Sequence, residues 1–188
     1  MTELEDNALP LPISRGLLTT DVPGDGRHVS LKVTEQEIAA LTAFAGILSI
    51  NNFAAELDVR PWGKTGFRVN GRVTANVEQA CVVTLEPVPT RVDETVEVKL
   101  APLADAERYQ PKTAPEGEII VDLEADDIPD FFEGAAIDVG AIAVEFFMLG
   151  LDPYPRKPGV EFQPLPDPGK AEVSPFAKLA VLKRPSET

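Results

Sequence analysis

Apolar and polar positions change their spacing several times along the chain, and each change predicts a new element. Residues 29–33 alternate between apolar and polar side chains, which predicts a short, half-buried strand. The spacing becomes helical over about residues 35–48, and Thr34 and Glu37 stand where a capping box would begin this helix. Strict alternation resumes over residues 53–60 and predicts an antiparallel strand.

The next alternating stretch surrounds Asn70-Gly71, the dipeptide that most strongly favours a tight β-hairpin turn. A plain two-residue loop would set Val69 opposite Arg72 and mix apolar with polar side chains on both faces. A shift of one residue pairs Val69 with Val73, so we predict a hairpin here with a three-residue loop or an adjacent bulge. Residues 92–100 predict one more strand.

The second half of the chain contains one almost wholly apolar stretch. Asp138 is a good N-cap for a helix that runs to about Leu149 and is buried on most sides. Glu145 is the only charge in this helix, and it should meet a cation or reach the surface, because burying an unpaired carboxylate is costly. Residues 152–158 are too rich in proline to continue the helix and should lie extended. Together the patterns predict an α+β fold with an antiparallel, barrel-like twisted sheet, two main helices and Pro-rich extended arms.

Length and proline distribution predict one domain with extended segments. A chain of 188 residues fits a single core. We expect a loose N-terminal arm over residues 1–12, a mobile internal loop over 101–117 and an extended C-terminal tail over 159–188. The start of the chain lacks the pattern of a secretion signal, and no apolar run approaches the roughly 20 residues that cross a bilayer. We therefore expect a cytoplasmic protein that does not contact a membrane.

The charge of the chain narrows the classes of partner. Lys and Arg number 17 and Asp and Glu number 31, so the formal net charge is −14. A surface of this sign repels the phosphates of nucleic acids, which disfavours DNA binding and extensive RNA binding and favours a basic protein partner. One basic concentration could still touch RNA or a partner locally, although charges on strands more often serve only solubility and edge protection. It comprises Arg60, Lys64, Arg68 and Arg72.

Reactive side chains are too few to predict a catalytic residue, a metal site or a cofactor. The single cysteine, Cys81, shares its odd position with Val77 and Leu85, which predicts a buried thiol with a raised pKa and low reactivity. The single histidine, His28, has no second histidine with which to share a zinc ion. Two alternatives remain open: an enzyme that uses Cys81 or the acidic residues, and a structural subunit of another complex.

Three motifs along the chain carry a resemblance to a known family. They are Cys81–Pro87, Ile137–Gly140 and Leu149–Arg156. The chain resembles the YceD family, the large ribosomal RNA subunit accumulation proteins, and is most similar to the form found in alphaproteobacteria, over roughly residues 10–184. Many members carry a second cysteine where this chain has Thr84, so no metal or redox role is carried over from the family.

The resemblance implies a non-enzymatic factor in ribosome biogenesis that supports accumulation or processing of large-subunit (23S) ribosomal RNA. Combined with the acidic charge, it favours binding to a basic ribosomal protein or a large-subunit assembly factor, with limited contact to ribosomal RNA. The family pattern also implies structural roles for its motif positions, with helix capping by Asp138 and ion pairing by Glu145. The other motif positions are Cys81, Asp152, Pro153, Pro155 and Arg156.

Overall fold

The computed structural model describes residues 11–109 and 128–161, which form an α+β fold. The strands are β1 (Gly16–Leu18), β2 (Arg27–Ser30), β3 (Ser49–Trp62), β4 (Gly66–Ala80), β5 (Pro87–Pro102), β6 (Asp130–Phe132) and β7 (Ala136–Asp138). The two α-helices are α1 (Glu35–Ala45) and α2 (Val139–Leu149). Short 3-10 helices cover Thr19–Asp21 and Leu103–Tyr109.

The strands form two sheets, and neither closes into a barrel within the described residues. The larger sheet has the order β2-β3-β4-β5-β6 and is antiparallel except for the parallel pair β5 and β6, while β1 and β7 form a two-stranded sheet. Closure would require β2 and β6 to pair with each other, but each pairs with one neighbour only. The expected barrel-like shape is therefore wrong: the sheet stays open, with α1 packed against β3 and α2 packed against β4 and β5.

The predicted hairpin at Asn70-Gly71 is also wrong, because this dipeptide lies inside β4. The turn between β3 and β4 is instead Gly63–Thr65, and it sets Val59 directly opposite Val69. Both valines are fully buried. The observed register therefore also places apolar side chains opposite each other on the core face, as the prediction required, but it does so through a different turn.

The buried face of the large sheet depends on an irregularity near the start of β3. The register shifts between Asn51 and Ala54, and Asn52 adopts a left-handed conformation with φ of 53°. This bulge lets Ile50 and Ala55 both point into the core although they stand an odd number of residues apart. The core then continues to α2, where the ring of Phe147 is buried.

Both predicted helices are confirmed, together with their N-terminal caps. The Thr34 side chain accepts from Glu37 N at 3.2 Å, and the Glu37 carboxylate accepts from Thr34 N at 2.8 Å. Helix α1 ends at Ala45, three residues before the predicted end, because Gly46 adopts a left-handed C-cap with φ of 64°.

Several predicted segments fall wholly or partly outside the described residues. These include residues 1–10 of the expected arm, 110–117 of the expected loop and 162–188 of the expected tail. The described start of that loop contains the 3-10 helix Leu103–Tyr109, so this part has regular structure. Among the described helices, none is long and apolar enough to cross a membrane.

Candidate functional site

Two segments that are far apart in the sequence meet at one end of the large sheet. The turn Cys81–Glu86 joins β4 to β5, and the segment Asp152–Lys157 follows α2. Val82 N donates a hydrogen bond to Pro155 O at 2.9 Å, and Lys157 Nζ lies 2.8 Å from Glu86 Oε2. The structure thus joins two of the sequence motifs into one site, which we call the motif surface.

The turn of the motif surface is closed by its own backbone. Leu85 N donates to Cys81 O at 2.9 Å, and Cys81 N donates to Glu86 O at 2.9 Å. To close the turn this way, Leu85 adopts a left-handed conformation with φ of 61°, and its side chain is 76% exposed. The predicted position of Leu85 on the core face is wrong, because the two-residue period stops where β4 ends at Ala80.

The second segment of the motif surface is anchored at several points. The backbone O of Asp152 accepts from Gln79 Nε2 at 2.8 Å, and its carboxylate accepts from Tyr154 N at 2.8 Å. Pro155 is buried, whereas Pro153 and Arg156 are exposed. The side chain of Tyr154 is 71% exposed, so the anchoring leaves an aromatic ring in solvent.

Cys81 is fully buried, as predicted, but its thiol is more acidic than expected. The Thr84 side chain, the Lys157 backbone N–H at 3.5 Å from Sγ, and the backbone of Thr84 and Val83 stabilise the thiolate. These hydrogen bonds outweigh the effect of burial and lower the pKa of Cys81 to about 6. The predicted rise in this pKa is therefore wrong, since the thiol lies among turn N–H groups and not among aliphatic side chains alone.

We expect native Cys81 to titrate near pH 6 and yet to react slowly with alkylating reagents. The hydrogen bonds around Sγ favour the thiolate, while the complete burial of the residue excludes the reagent. Thiolate absorbance followed against pH measures the titration midpoint of Cys81. The rate of iodoacetamide modification before and after unfolding measures how far the native fold slows its alkylation. Thr84→Val removes the hydroxyl and should move the midpoint upward. A native midpoint near 8.5 in the unmodified chain would contradict the assignment.

Asp138 caps α2 as the motif resemblance implied, and its carboxylate also binds the segment at Ser14 and Arg15, which is far away in the sequence. Its carboxylate accepts from Ala141 N at 2.9 Å, Ser14 Oγ at 2.6 Å and Arg15 N at 2.8 Å. Burial opposes the charge of Asp138, but these bonds outweigh burial and hold its pKa below the usual value. Glu145 reaches the surface on the exposed side of α2, one of the two outcomes expected for a lone charge in this helix, and the ion pair implied by the resemblance is not found within residues 11–109 and 128–161.

The four predicted basic contact residues lie on or beside the β3–β4 hairpin. Arg60 stands directly opposite Arg68 on the neighbouring strand, and Lys64 lies in the turn between the two strands. Arg72 lies further along β4. Arg68 is paired with Glu97 and Arg72 with Asp93, so ion pairing already neutralises two of the four cations.

His28 lies in β2 and is bonded to two carboxylates. Its Nε2 is 2.9 Å from Glu56 Oε2, and its Nδ1 is 3.1 Å from Asp58 Oδ1. Because the two carboxylates occupy opposite ring nitrogens, this arrangement does not converge on one metal ion. In the part of the chain that the structure describes, no group of three or more His, Cys, Asp or Glu residues is placed to hold a metal.

These features define an α+β protein with an open sheet, in which distant motif segments build one surface at the sheet end. A family model described as large ribosomal RNA subunit accumulation protein YceD matches residues 69–183, more than half of the chain. The chain therefore belongs to this family. The match includes both segments of the motif surface and leaves residues 10–68 of the expected resemblance outside it. Comparison with curated proteins and with solved structures gave no match.

Sequence reasoning missed the most exposed residues of the motif surface. Tyr154 stands between Pro153 and Pro155, and this spacing could have indicated an extended segment with an outward ring. Lys157 follows the family motif directly, but only the fold places it beside Glu86. For Leu85 there was no usable signal, because its odd position continues the pattern of β4.

Proposed function

We propose that this protein supports accumulation of large-subunit (23S) ribosomal RNA as a non-enzymatic, cytoplasmic factor. The match of residues 69–183 to the YceD family carries the proposal, because the family is described by a role in accumulation of this RNA. The absence of a metal-binding cluster among the described residues is compatible with action through contacts.

The charge of the chain supports a protein partner in preference to direct grip on RNA. At −14 the molecule attracts basic proteins electrostatically, and most ribosomal proteins are basic. Within the described ranges, Arg60 and Lys64 are the two members of the basic group that no ion pair neutralises. A basic group with two unpaired cations favours at most a local contact with ribosomal RNA.

Depletion of the protein in its source organism should lower the ratio of large-subunit to small-subunit ribosomal RNA. The expected result is a clear fall in this ratio, measured by quantitative RNA electrophoresis, and its restoration by the full chain expressed in trans. The purified protein should bind naked 23S transcripts weakly at physiological salt, because its net charge opposes the phosphates. An unchanged ratio in depleted cells would refute the proposed function, and tight transcript binding would refute the preference for a protein partner.

An enzyme that uses Cys81 is the second candidate, since its pKa of about 6 makes it a thiolate at neutral pH. Two observations weigh against this candidate. The residue is fully buried, and the only histidine, His28, is bonded to Glu56 and Asp58. Rapid alkylation of the native thiol in the experiment above would favour the enzyme.

A further inference from the structure

Leu85 combines two features that do not favour a leucine at this position: an unfavourable backbone conformation and little burial. Its φ of 61° lies in the left-handed region, which is unfavourable for a residue with a side chain such as leucine. Its side chain is 76% exposed, so it gains little from burial in the core. Asparagine would tolerate this backbone conformation better and would expose no large apolar group. Folding therefore does not explain why a leucine occupies this position.

Two more apolar side chains lie exposed on the same pair of bonded segments. Val82 is 47% exposed and precedes Leu85 in the turn, and Tyr154 is 71% exposed in the segment that Val82 contacts through Pro155 O. Arg156, which follows Pro155 in the same segment, is also exposed. Tyrosine and arginine are enriched in the centres of protein interfaces, where a few such residues carry most of the binding energy.

The geometry points to a docking site for a basic protein, built from Val82, Leu85, Tyr154 and Arg156 on the motif surface. This inference rests on the proposed function and names the surface through which it would operate. The Lys157–Glu86 ion pair and the bond between Val82 N and Pro155 O fix the two segments against each other. The apolar side chains are therefore presented on a preorganised backbone, which lowers the entropic cost of binding.

The net charge of the whole chain, and not the charge of the site itself, favours one class of occupant, because Arg156 and Lys157 are balanced locally by Glu86 and Asp152. The chain carries −14, so a basic protein is drawn to it, whereas a second copy would bring two strongly negative molecules together. A nucleic acid would meet the same repulsion and, among the described residues of these two segments, would find only the cations Arg156 and Lys157, the second already paired with Glu86.

The test uses the full chain and, as probes, the purified basic proteins of the large ribosomal subunit, each titrated separately by biolayer interferometry. At least one should bind, and Leu85→Asn should weaken that binding by about tenfold or more, as expected for a central interface residue. The variant should melt at an equal or higher temperature than the unmodified protein, because asparagine tolerates the left-handed backbone. Tyr154→Ser provides a second variant on the other segment. Leu103→Asn is the matched control, since Leu103 is a leucine with 47% exposure in the 3-10 helix, and its binding should not change.

Three results would overturn the inference. The first is that Leu85→Asn and Tyr154→Ser bind the ribosomal protein as tightly as the unmodified chain does. The second is that Leu103→Asn loses as much affinity as Leu85→Asn, and the third is that no ribosomal protein binds. Dimers that dissociate in Leu85→Asn, seen by sedimentation velocity, would place a second copy on the surface instead. The proposed function fails separately, through an unchanged ribosomal RNA ratio on depletion. If Leu85→Asn binds normally and depletion still lowers that ratio, the docking site is wrong and the function stands.

Discussion

Replacing Gly71 by alanine should lower the free energy of unfolding by about 3 kcal/mol or more. Gly71 lies in β4, paired with Leu57 on one side and Val96 on the other. A Cβ at this position would collide with the backbone O of Glu56 and lie 2.8 Å from Leu57 Cδ2 and 2.9 Å from Leu57 Cα. Because two of these atoms belong to the backbone of a long central strand, the clash cannot be relieved by rotating one side chain.

A matched glycine separates this clash from the general effect of removing glycine. Gly24 has nothing within 4 Å of a built Cβ, so Gly24→Ala should leave stability unchanged or raise it by about 0.4–1 kcal/mol through the unfolded state. Urea unfolding of both variants, read by circular dichroism, gives the comparison. If Gly71→Ala unfolds within about 1 kcal/mol of the unmodified protein, the packing of β3 against β4 is not as described.

Asp138→Ala should lower the free energy of unfolding by about 2–4 kcal/mol. The substitution removes the N-cap of α2 and also leaves Ser14 Oγ and Arg15 N without their carboxylate partner. Helix α2 packs on β4 and β5, so loss of the cap should reach the core and not only the helix end.

Thr34→Ala is the control for Asp138→Ala, because Thr34 also caps a helix but makes no comparable contact to a distant segment. Thr34→Ala should lower the free energy of unfolding by about 1 kcal/mol. Equal losses in the two variants at pH 7 would show that the bonds to Ser14 and Arg15 contribute nothing.

The contribution of Asp138 to stability should also depend on pH. The folded-state pKa of Asp138 is lowered, so its contribution to stability is present above about pH 3.9 and is lost as pH falls through the folded-state value.

Local sequence signals predicted the helices well. The capping box at Thr34 and Glu37 and the N-cap at Asp138 depend on residues close in sequence, so their chemistry is visible without the fold. Parts of β2, β3, β4 and β5 were also found, because alternation requires only that one face of a sheet is buried, whereas the three-residue strands β1, β6 and β7 were not predicted.

The hairpin error has a definite physical cause. Asn-Gly favours a turn because both residues accept left-handed backbone angles, but Gly71 is needed for a different reason. Its missing side chain gives space to Leu57 and to the backbone of β3. A glycine that is needed because no side chain fits cannot be distinguished in a sequence from a glycine that is needed for its backbone angles in a turn. The barrel error is similar, since alternation predicts a buried face but does not say whether a helix or another strand covers it.

The candidate site was predictable only in part. The motif positions were named from the resemblance, but the two motif segments form one surface only through tertiary contacts such as the hydrogen bond from Val82 N to Pro155 O. The pKa of Cys81 is lowered first by the Thr84 side chain and then by the backbone N–H of Lys157, which is 76 residues away in the sequence.

The sequence by itself determined the α+β class, the two capped helices and the acidic character, since each follows from residue type and short-range spacing. The tertiary structure alone decided the open sheet, the true strand register and the exposure of Leu85 and Tyr154 on two segments that are bonded to each other. These features depend on which distant residues compete for the same space. Such competition is settled when the chain packs, and no local pattern records it.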